Sequence, residues 1–505
     1  MAKQGCVYLI GAGPGDIGLV TLKGYTYLQR AEVVLYDRLV NPLLLEYASP
    51  QAEFIYCGKM PKKHILRQEA INDLLVKHGL AGKQVVRLKG GDPSVFGRVG
   101  EEAEALENAG VPYEIVPGIT AGIGAAAYAG VPVTHREHSL SFAVITGHDK
   151  SPSGEPLIDW HALANGIDTI AFYMGLGNLP HIAEKLITHG KAPETPVLLI
   201  QWGTTGKQRT LQGTLANIEY QAKEARFTNP AIILVGEVSS IKKGESWFES
   251  KPLFSQHLLI GRTAEEPGKI GQHLRDKGAE VFEFPRMQMK KLPLPADAIP
   301  KERDLLFLSP ASVNVFFAFL QANKIDIRSI RGEFYGISKK TVETLKAYHC
   351  FAKEITERNP DAPLSMLGDS EWLNREEQRQ RLARDHDFIT THTYTRVPQT
   401  EQTFRRLQEE ERIDTIIFPN ARSVATVTAG LKACGEAPET ISSSAQVICF
   451  GETSKQAAVK AGYTVSQVLA KPTEAALLDV LLQKENTAVA APFFPEHAEA
   501  ALKPV

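Results

Sequence analysis

Val7-Tyr8-Leu9-Ile10-Gly11-Ala12-Gly13-Pro14-Gly15-Asp16 runs from an apolar, strand-like segment straight into a glycine-rich turn. Leu19–Arg30 follows with apolar residues at helical spacing. Strand, glycine turn and helix together open a parallel α/β unit. The turn lets backbone amides approach a ligand without interference from a Cβ. It differs from a dinucleotide fingerprint at two points. Asp16 stands at the third glycine position, and Pro14 removes an amide that would face a pyrophosphate. Both residues argue against the alternative reading as a nucleotide-dependent oxidoreductase.

The same alternation continues outward. Val33–Tyr36, Val85–Leu88, Phe142–Thr146, Thr169–Tyr173, Val197–Ile200 and Ile232–Val235 read as buried strands; His64–His78, Arg98–Asn108 and Leu179–Thr188 read as helices. The pattern pauses between Ser239 and Gln256, a polar stretch that suits a linker. His257–Ile260 then opens a second α/β region. We expect domains at 1–245 and 255–485, followed by a poorly ordered tail at 486–505.

The second region repeats itself. Phe307 and Ser312-Val313 recur as Phe418 and Ser423-Val424, while Gly336, Lys340 and Tyr348 recur as Gly451, Lys455 and Tyr463. Two matches in the same order predict two similar strand–helix lobes facing a cleft.

Composition narrows the function. With 505 residues, 23% charged and 43% hydrophobic, the chain is long enough for two or three ordinary soluble domains. A net charge of −2 gives no general attraction to nucleic acid or an anionic membrane. No run approaches the ~20 apolar residues that span a bilayer. The five cysteines form no C-x-x-C pair, so we expect a reduced, cytoplasmic, metal-free protein.

Two further segments carry chemistry. Val85–Leu88 leads into Lys89-Gly90-Gly91-Asp92-Pro93, a second glycine turn at a strand end, where α/β folds bind ligands. Spacing alone leaves open whether the two turns share a cleft. Pro117–Gly130 is rich in small residues, as suits either a tightly packed helix or close approach to a flat ligand.

These segments, with Tyr36–Val40, Gly58-Lys59, Phe96-Gly97-Arg98, Tyr128–Arg136, Thr146-Gly147-His148, Tyr173-Met174-Gly175, Gly203-Thr204 and Pro230–Val238, resemble the uroporphyrinogen-III C-methyltransferases over about residues 5–250. The resemblance implies a two-lobed tetrapyrrole-methyltransferase fold, typically homodimeric, holding S-adenosyl-L-methionine. Pro14, Gly90, Gly91, Asp92, Val95, Thr120, Ala121, Met174 and Gly203 would contact that cofactor. Asp37 would accept a proton and Lys59 donate one. The reaction would methylate uroporphyrinogen III to precorrin-2. Arg87, Arg98, His135 and Arg136, with Lys89, are candidate clamps for the many substrate carboxylates, a task that suits arginine. Val99 and Met60-Pro61 depart from the family pattern.

The second region resembles uroporphyrinogen-III synthases, carried by His257–Thr263, Gly278–Val281, Phe284-Pro285, Phe307–Val313, Tyr394-Thr395-Arg396, Phe418–Val424, Gly451–Ser454 and Lys471–Glu474. That resemblance implies a bilobal α/β fold that closes hydroxymethylbilane to uroporphyrinogen III without a cofactor. Ser309, Ser338, Thr453 and Ser454 would bind substrate, and Tyr394 would assist loss of the hydroxyl. Lys339 and Asn420 stand where threonine and serine are usual. Slow synthesis, or a tetrapyrrole-binding module in place of an enzyme, is the competing reading of this half. No dehydrogenase or chelatase segment is visible.

Overall fold

The computed structural model describes residues 5–58, 67–148, 157–295, 297–357, 364–370, 387–410 and 413–483. Five strands, β1 (Cys6–Gly11), β2 (Val33–Tyr36), β3 (Glu53–Tyr56), β4 (Gln84–Lys89) and β5 (Tyr113–Val116), form the first sheet. Its order is β3-β2-β4-β1-β5, parallel throughout. β2 is wholly buried, which is why its sequence, Val-Val-Leu-Tyr, is a continuous apolar run rather than an alternation. All five carboxyl ends lie along one edge, and there the candidate loops begin.

β6 (Phe142–Thr146), β7 (Thr169–Tyr173), β8 (Pro196–Gln201), β9 (Arg209–Thr214) and β10 (Ala231–Val235) form a second sheet of mixed direction. The helix Ala121–Tyr128 packs on it, burying Ala125 and Ala126 against Ala171, Leu198 and Ile232. The small-residue run is therefore a packed helix. Its first turn also lies beside the Gly91 turn.

Residues 239–256 are not a loose linker. Lys242 and Glu249 form a nearly buried pair at 2.7 Å, and Glu249 also accepts from Ser246 N and Gln208 Nε2. Phe248 and Leu253 are buried. Part of the polar composition that suggested solvent is used in internal pairing, while Lys243 and Glu245 stay exposed.

The chain forms two compact units, and they are not divided near residue 250. One comprises the described residues to Gly261, Gly268–Phe284 and those from Pro398 onward; the other comprises Arg262–Pro267 and Pro285–Val397. The first unit also holds a third sheet, parallel and five-stranded. It is built from β11 (His257–Gly261), β12 (Glu280–Phe284), β19 (Thr415–Phe418), β20 (Gln446–Cys449) and β21 (Gln467–Val468). The second unit holds β13 (Met287–Lys291), β14 (Asp304–Phe307), β15 (Phe334–Gly336), β16 (Lys353–Glu354), β17 (Leu364–Asp369) and β18 (Asp387–Arg396), with β13 antiparallel to β18.

The internal repeat is visible in local structure. Ser309 caps the helix after β14 and Asn420 the helix after β19, each in a reciprocal capping box with the serine three residues on. The second sequence match is out of register by two residues. Gly336 ends β15, whereas Gly451 lies two residues past the end of β20, as the N-cap equivalent to Ser338.

Candidate active site

The two glycine turns meet. Gly13 N donates to Gly91 O at 3.2 Å and Gly91 N donates to Gly13 O at 2.8 Å. A third loop closes on both: a Cβ on Gly118 would lie 2.4 Å from Gly91 O, a separation that no side chain permits. Asp92 fastens that loop, its Oδ2 accepting from Gly118 N at 2.9 Å and its Oδ1 from Ser94 N at 2.7 Å. Gly91 has φ +71°, the left-handed region that favours glycine. A Cβ on Gly91 would meet Ala121 N and Thr120 Cα at 3.7 and 3.8 Å, ordinary packing distances. The Gly91 turn thus lies beside the backbone of Thr120-Ala121.

Loops of the second sheet complete this region. Tyr173 Oη lies 2.6 Å from Thr120 Oγ1 and accepts from Gly122 N. Met174 beside it is exposed at φ +55°. Gly203 presses on Ala125, and Pro14 on Gly124, so both brace the Ala121–Tyr128 helix. Asp16 N donates to Thr204 Oγ1 at 3.0 Å, while Asp16 accepts from Tyr128 Oη at 2.6 Å and from Gly18 N at 2.7 Å. Five of the nine non-glycine residues with positive φ among the described residues belong to these loops: Phe96, Arg98, Met174, Trp202 and Thr204. Strain of that kind persists where surrounding structure over-determines it and clusters at functional sites. Leu39, Phe96, Ile119, Ile123 and Met174 also leave apolar surface exposed along the same loops.

Beneath Asp37 lies a buried charge network. Arg87 Nη2 donates to Asp37 Oδ1 at 2.6 Å, and Arg87 Nε to Glu102 Oε1 at 3.1 Å; Lys89 Nζ reaches the same Glu102 oxygen at 2.7 Å. Arg87, Lys89 and Glu102 are almost fully buried, whereas Asp37 is one-third exposed. Burial pulls the Arg87 guanidinium down, but Asp37 and Glu102 outweigh it and hold its pKa above the ordinary value. Burial, then the nearby Arg87, lowers the Lys89 ammonium. Arg87 and Lys89, expected to clamp substrate carboxylates, are instead paired with the protein's own and lie under the surface. Arg87 is the one of the two that reaches Asp37; Lys89 pairs with Glu102.

The other candidates are spread more widely. Val95 closes a turn on Asp92 O. Arg98 pairs with Glu101, its Nε donating at 2.8 Å, and both side chains are half exposed. The His135 ring lies 4.7 Å from that of His138, tilted by 35°, and Arg136 is exposed. Lys59 lies outside the described residues, as does the tail beyond Gln483. Tyr394 sits in β18 opposite Met289, its ring 5.2 Å from that of His392. Ser309 and Ser338 cap their own helices. Ser454 caps through its Oγ, which accepts from Gly451 N, and Thr453 is exposed. Asn420, a departure from the family's serine, preserves its cap by accepting from Ser423 N at 2.9 Å.

Sequence reasoning gave no role to Glu102, Tyr128 or Tyr173. Asp16, read only as a misfit to the dinucleotide motif, turns out to tie three loops together. That misfit was itself the available signal. Among the described residues no cluster of His, Cys, Asp and Glu is arranged to hold a metal, and no helix is long and apolar enough to cross a membrane.

Residues 6–219 match the family of Tetrapyrrole (Corrin/Porphyrin) Methylases. A uroporphyrinogen-III C-methyltransferase of Bacillus subtilis is 43% identical over 468 residues, 92% of this chain and 95% of the relative. The porphyrin biosynthesis protein HemD of Ruminiclostridium josui is 38% identical over 351 residues, 68% of this chain and 69% of the relative. The crystal structure of a Thermus thermophilus uroporphyrin-III C-methyltransferase, complexed with S-adenosylhomocysteine, is 40% identical. It covers 46% of this chain and 99% of its own, with a TM-score of 0.40. With an identity of 43% maintained over nearly the full length of both chains, this chain belongs to the uroporphyrinogen-III C-methyltransferases.

Proposed function

We propose that residues 1–245 transfer methyl groups from S-adenosylmethionine to uroporphyrinogen III, giving precorrin-2. The carrying observation is the reciprocal Gly13–Gly91 pairing, which joins the two glycine turns at the carboxyl edge of the first sheet, beside Thr120 and Ala121. Gly90, Gly91, Asp92, Val95, Thr120, Ala121, Met174, Gly203 and Pro14 would line the cofactor. When bound, S-adenosylmethionine supplies an electrophilic methyl group, so the protein's tasks are positioning and exclusion of water. The exposed apolar side chains Leu39, Phe96, Ile119, Ile123 and Met174 suit a flat macrocycle. Arg87 holds Asp37 by Oδ1, leaving Oδ2 to take a proton as the macrocycle's double bonds rearrange. Lys59 serves as the donor, and Arg98, His135 and Arg136 meet substrate carboxylates. The active form is a cytoplasmic homodimer through this domain.

Residues 255–485 close hydroxymethylbilane to uroporphyrinogen III, with Tyr394 donating to the departing hydroxyl and Ser309, Ser338, Thr453 and Ser454 at helix starts meeting carboxylates. The repeat of one strand–cap–helix unit after β14 and after β19 supports the two-lobed part of this reading.

Two measurements test the two halves. S-adenosylmethionine is expected to raise the melting temperature and NAD to leave it unchanged; the reverse contradicts the cofactor assignment. Hydroxymethylbilane is expected to yield the type III isomer. Type I alone, at the spontaneous rate, would make the second region a binding module.

A further inference from the structure

The first sheet has an edge strand, β3, whose outward backbone groups need a cover. The cover comes from far along the chain, from the helix Gln399–Glu410. Gln399 Nε2 donates to Ala52 O at 3.0 Å, and Gln402 Nε2 donates to Phe54 O at 3.5 Å. One turn further, the guanidinium of Arg406 lies over the Tyr56 ring at 4.2 Å and reaches Arg38 O at 3.5 Å. Spaced by three and then four positions, these three residues share one helix face. Phe404 and Leu407 anchor the helix in a core that also takes Leu43.

The contacted residues flank the candidate acid–base pair. Arg38 follows Asp37, and Tyr56 lies three residues before Lys59. Tyr36, directly before Asp37, is fully buried with its ring 5.3 Å from that of Tyr56 and its hydroxyl without a hydrogen-bond partner. The backbone on either side of Asp37 therefore rests on an aromatic pair that Arg406 covers. Arg406 itself is only 4% exposed and pairs with Glu409, so it takes no part in meeting substrate.

We infer that Arg406 is a positioning residue for methylation: a side chain of the second region holds the Asp37 loop, and the methyl-transfer rate depends on the seating of the Gln399–Glu410 helix. This rests on Asp37 acting as proton acceptor.

The experiment uses the full chain with uroporphyrinogen III and S-adenosylmethionine, comparing Arg406→Met, Arg406→Lys and Asp37→Asn. Arg406→Met keeps bulk over Tyr56 but loses the charge and the bond to Arg38 O. It is expected to lower kcat about tenfold, the scale of a small misplacement of a reacting group. The KM for S-adenosylmethionine should not move. Arg406→Lys restores a cation over the ring and is expected to recover most of kcat. Wild-type kcat in both Arg406 variants, with Asp37→Asn inactive, overturns the inference and leaves the Asp37 assignment standing. Equal loss of kcat in both, following equal loss of melting temperature, also overturns it, because the residue is then merely structural. A fully active Asp37→Asn instead removes the acid–base reading on which the inference depends. Should Arg406→Met fail to fold, Gln402→Ala replaces it, with a smaller fall in kcat expected and an unchanged kcat contradicting the inference.

Discussion

Polar side chains behave differently in two regions of this molecule. At the carboxyl edge of the first sheet they join segments far apart in sequence: Asp92 to Gly118, Thr120 to Tyr173, Asp16 to Tyr128 and Asp16 to Thr204. At the helix starts after β14, β15, β19 and β20 they close on a residue three positions away, in Ser309–Ser312, Ser338–Thr341, Asn420–Ser423 and Gly451–Ser454. A local cap satisfies the orphan amides of its own helix and needs no further explanation. A long-range tie must offset the entropy of ordering two loops. Several such ties converging on one edge mark a region built to hold a fixed geometry.

The largest effect should come from the proposed proton acceptor at the same sheet edge. Asp37→Asn is expected to reduce kcat by on the order of 100-fold or more while leaving cofactor affinity nearly intact. Steady-state kinetics beside calorimetry separates the two quantities. A wild-type rate would reduce the Asp37–Arg87 pair to structure.

Arg87→Met tests the network beneath. It leaves Glu102 and Asp37 without a cation between them, and breaking a buried pair costs about 3–5 kcal/mol. Denaturant unfolding should show that loss; a change within experimental error would mean that Lys89 alone compensates Glu102.

Asp92→Ala removes two amide-to-carboxylate bonds and frees the Pro117-Gly118 loop. Each bond to a charged group is worth about 1.5–3 kcal/mol. S-adenosylmethionine binding should weaken more than tetrapyrrole binding, by calorimetry. Unchanged cofactor affinity would remove Asp92 from the site.

The comparison predicts the smallest effect at the caps. Ser338→Ala should cost about 1 kcal/mol of stability and leave methylation untouched. If it also abolishes formation of the type III isomer, the hydroxyl does more than cap, and the contrast between the two regions narrows.

Much of the fold was legible because its strands are buried on both faces and so appear as unbroken apolar runs, β2 and β10 above all. The site was legible in outline, since glycine turns at strand ends mark the edge where such sheets bind ligands. What stayed hidden is pairing. Glu102 lies in Val-Gly-Glu-Glu-Ala-Glu, which reads as a solvated helix face, yet it is fully buried under Arg87 and Lys89. Lys242 and Glu249 read as linker charges for the same reason. A charge's partner is set by tertiary approach, and no local pattern encodes it. The cover of β3 by residues 399–410 is the extreme case, joining segments that lie in different halves of the sequence.

The central claim is methyl transfer by the first half of the chain. Its most direct test is purified protein incubated with uroporphyrinogen III and S-adenosylmethionine carrying an isotopically labelled methyl group, followed by mass analysis of the tetrapyrrole. The account predicts transfer of two labelled methyl groups per macrocycle, giving precorrin-2, with Asp37→Asn blocked. A tetrapyrrole that gains no label while the cofactor remains bound would contradict it.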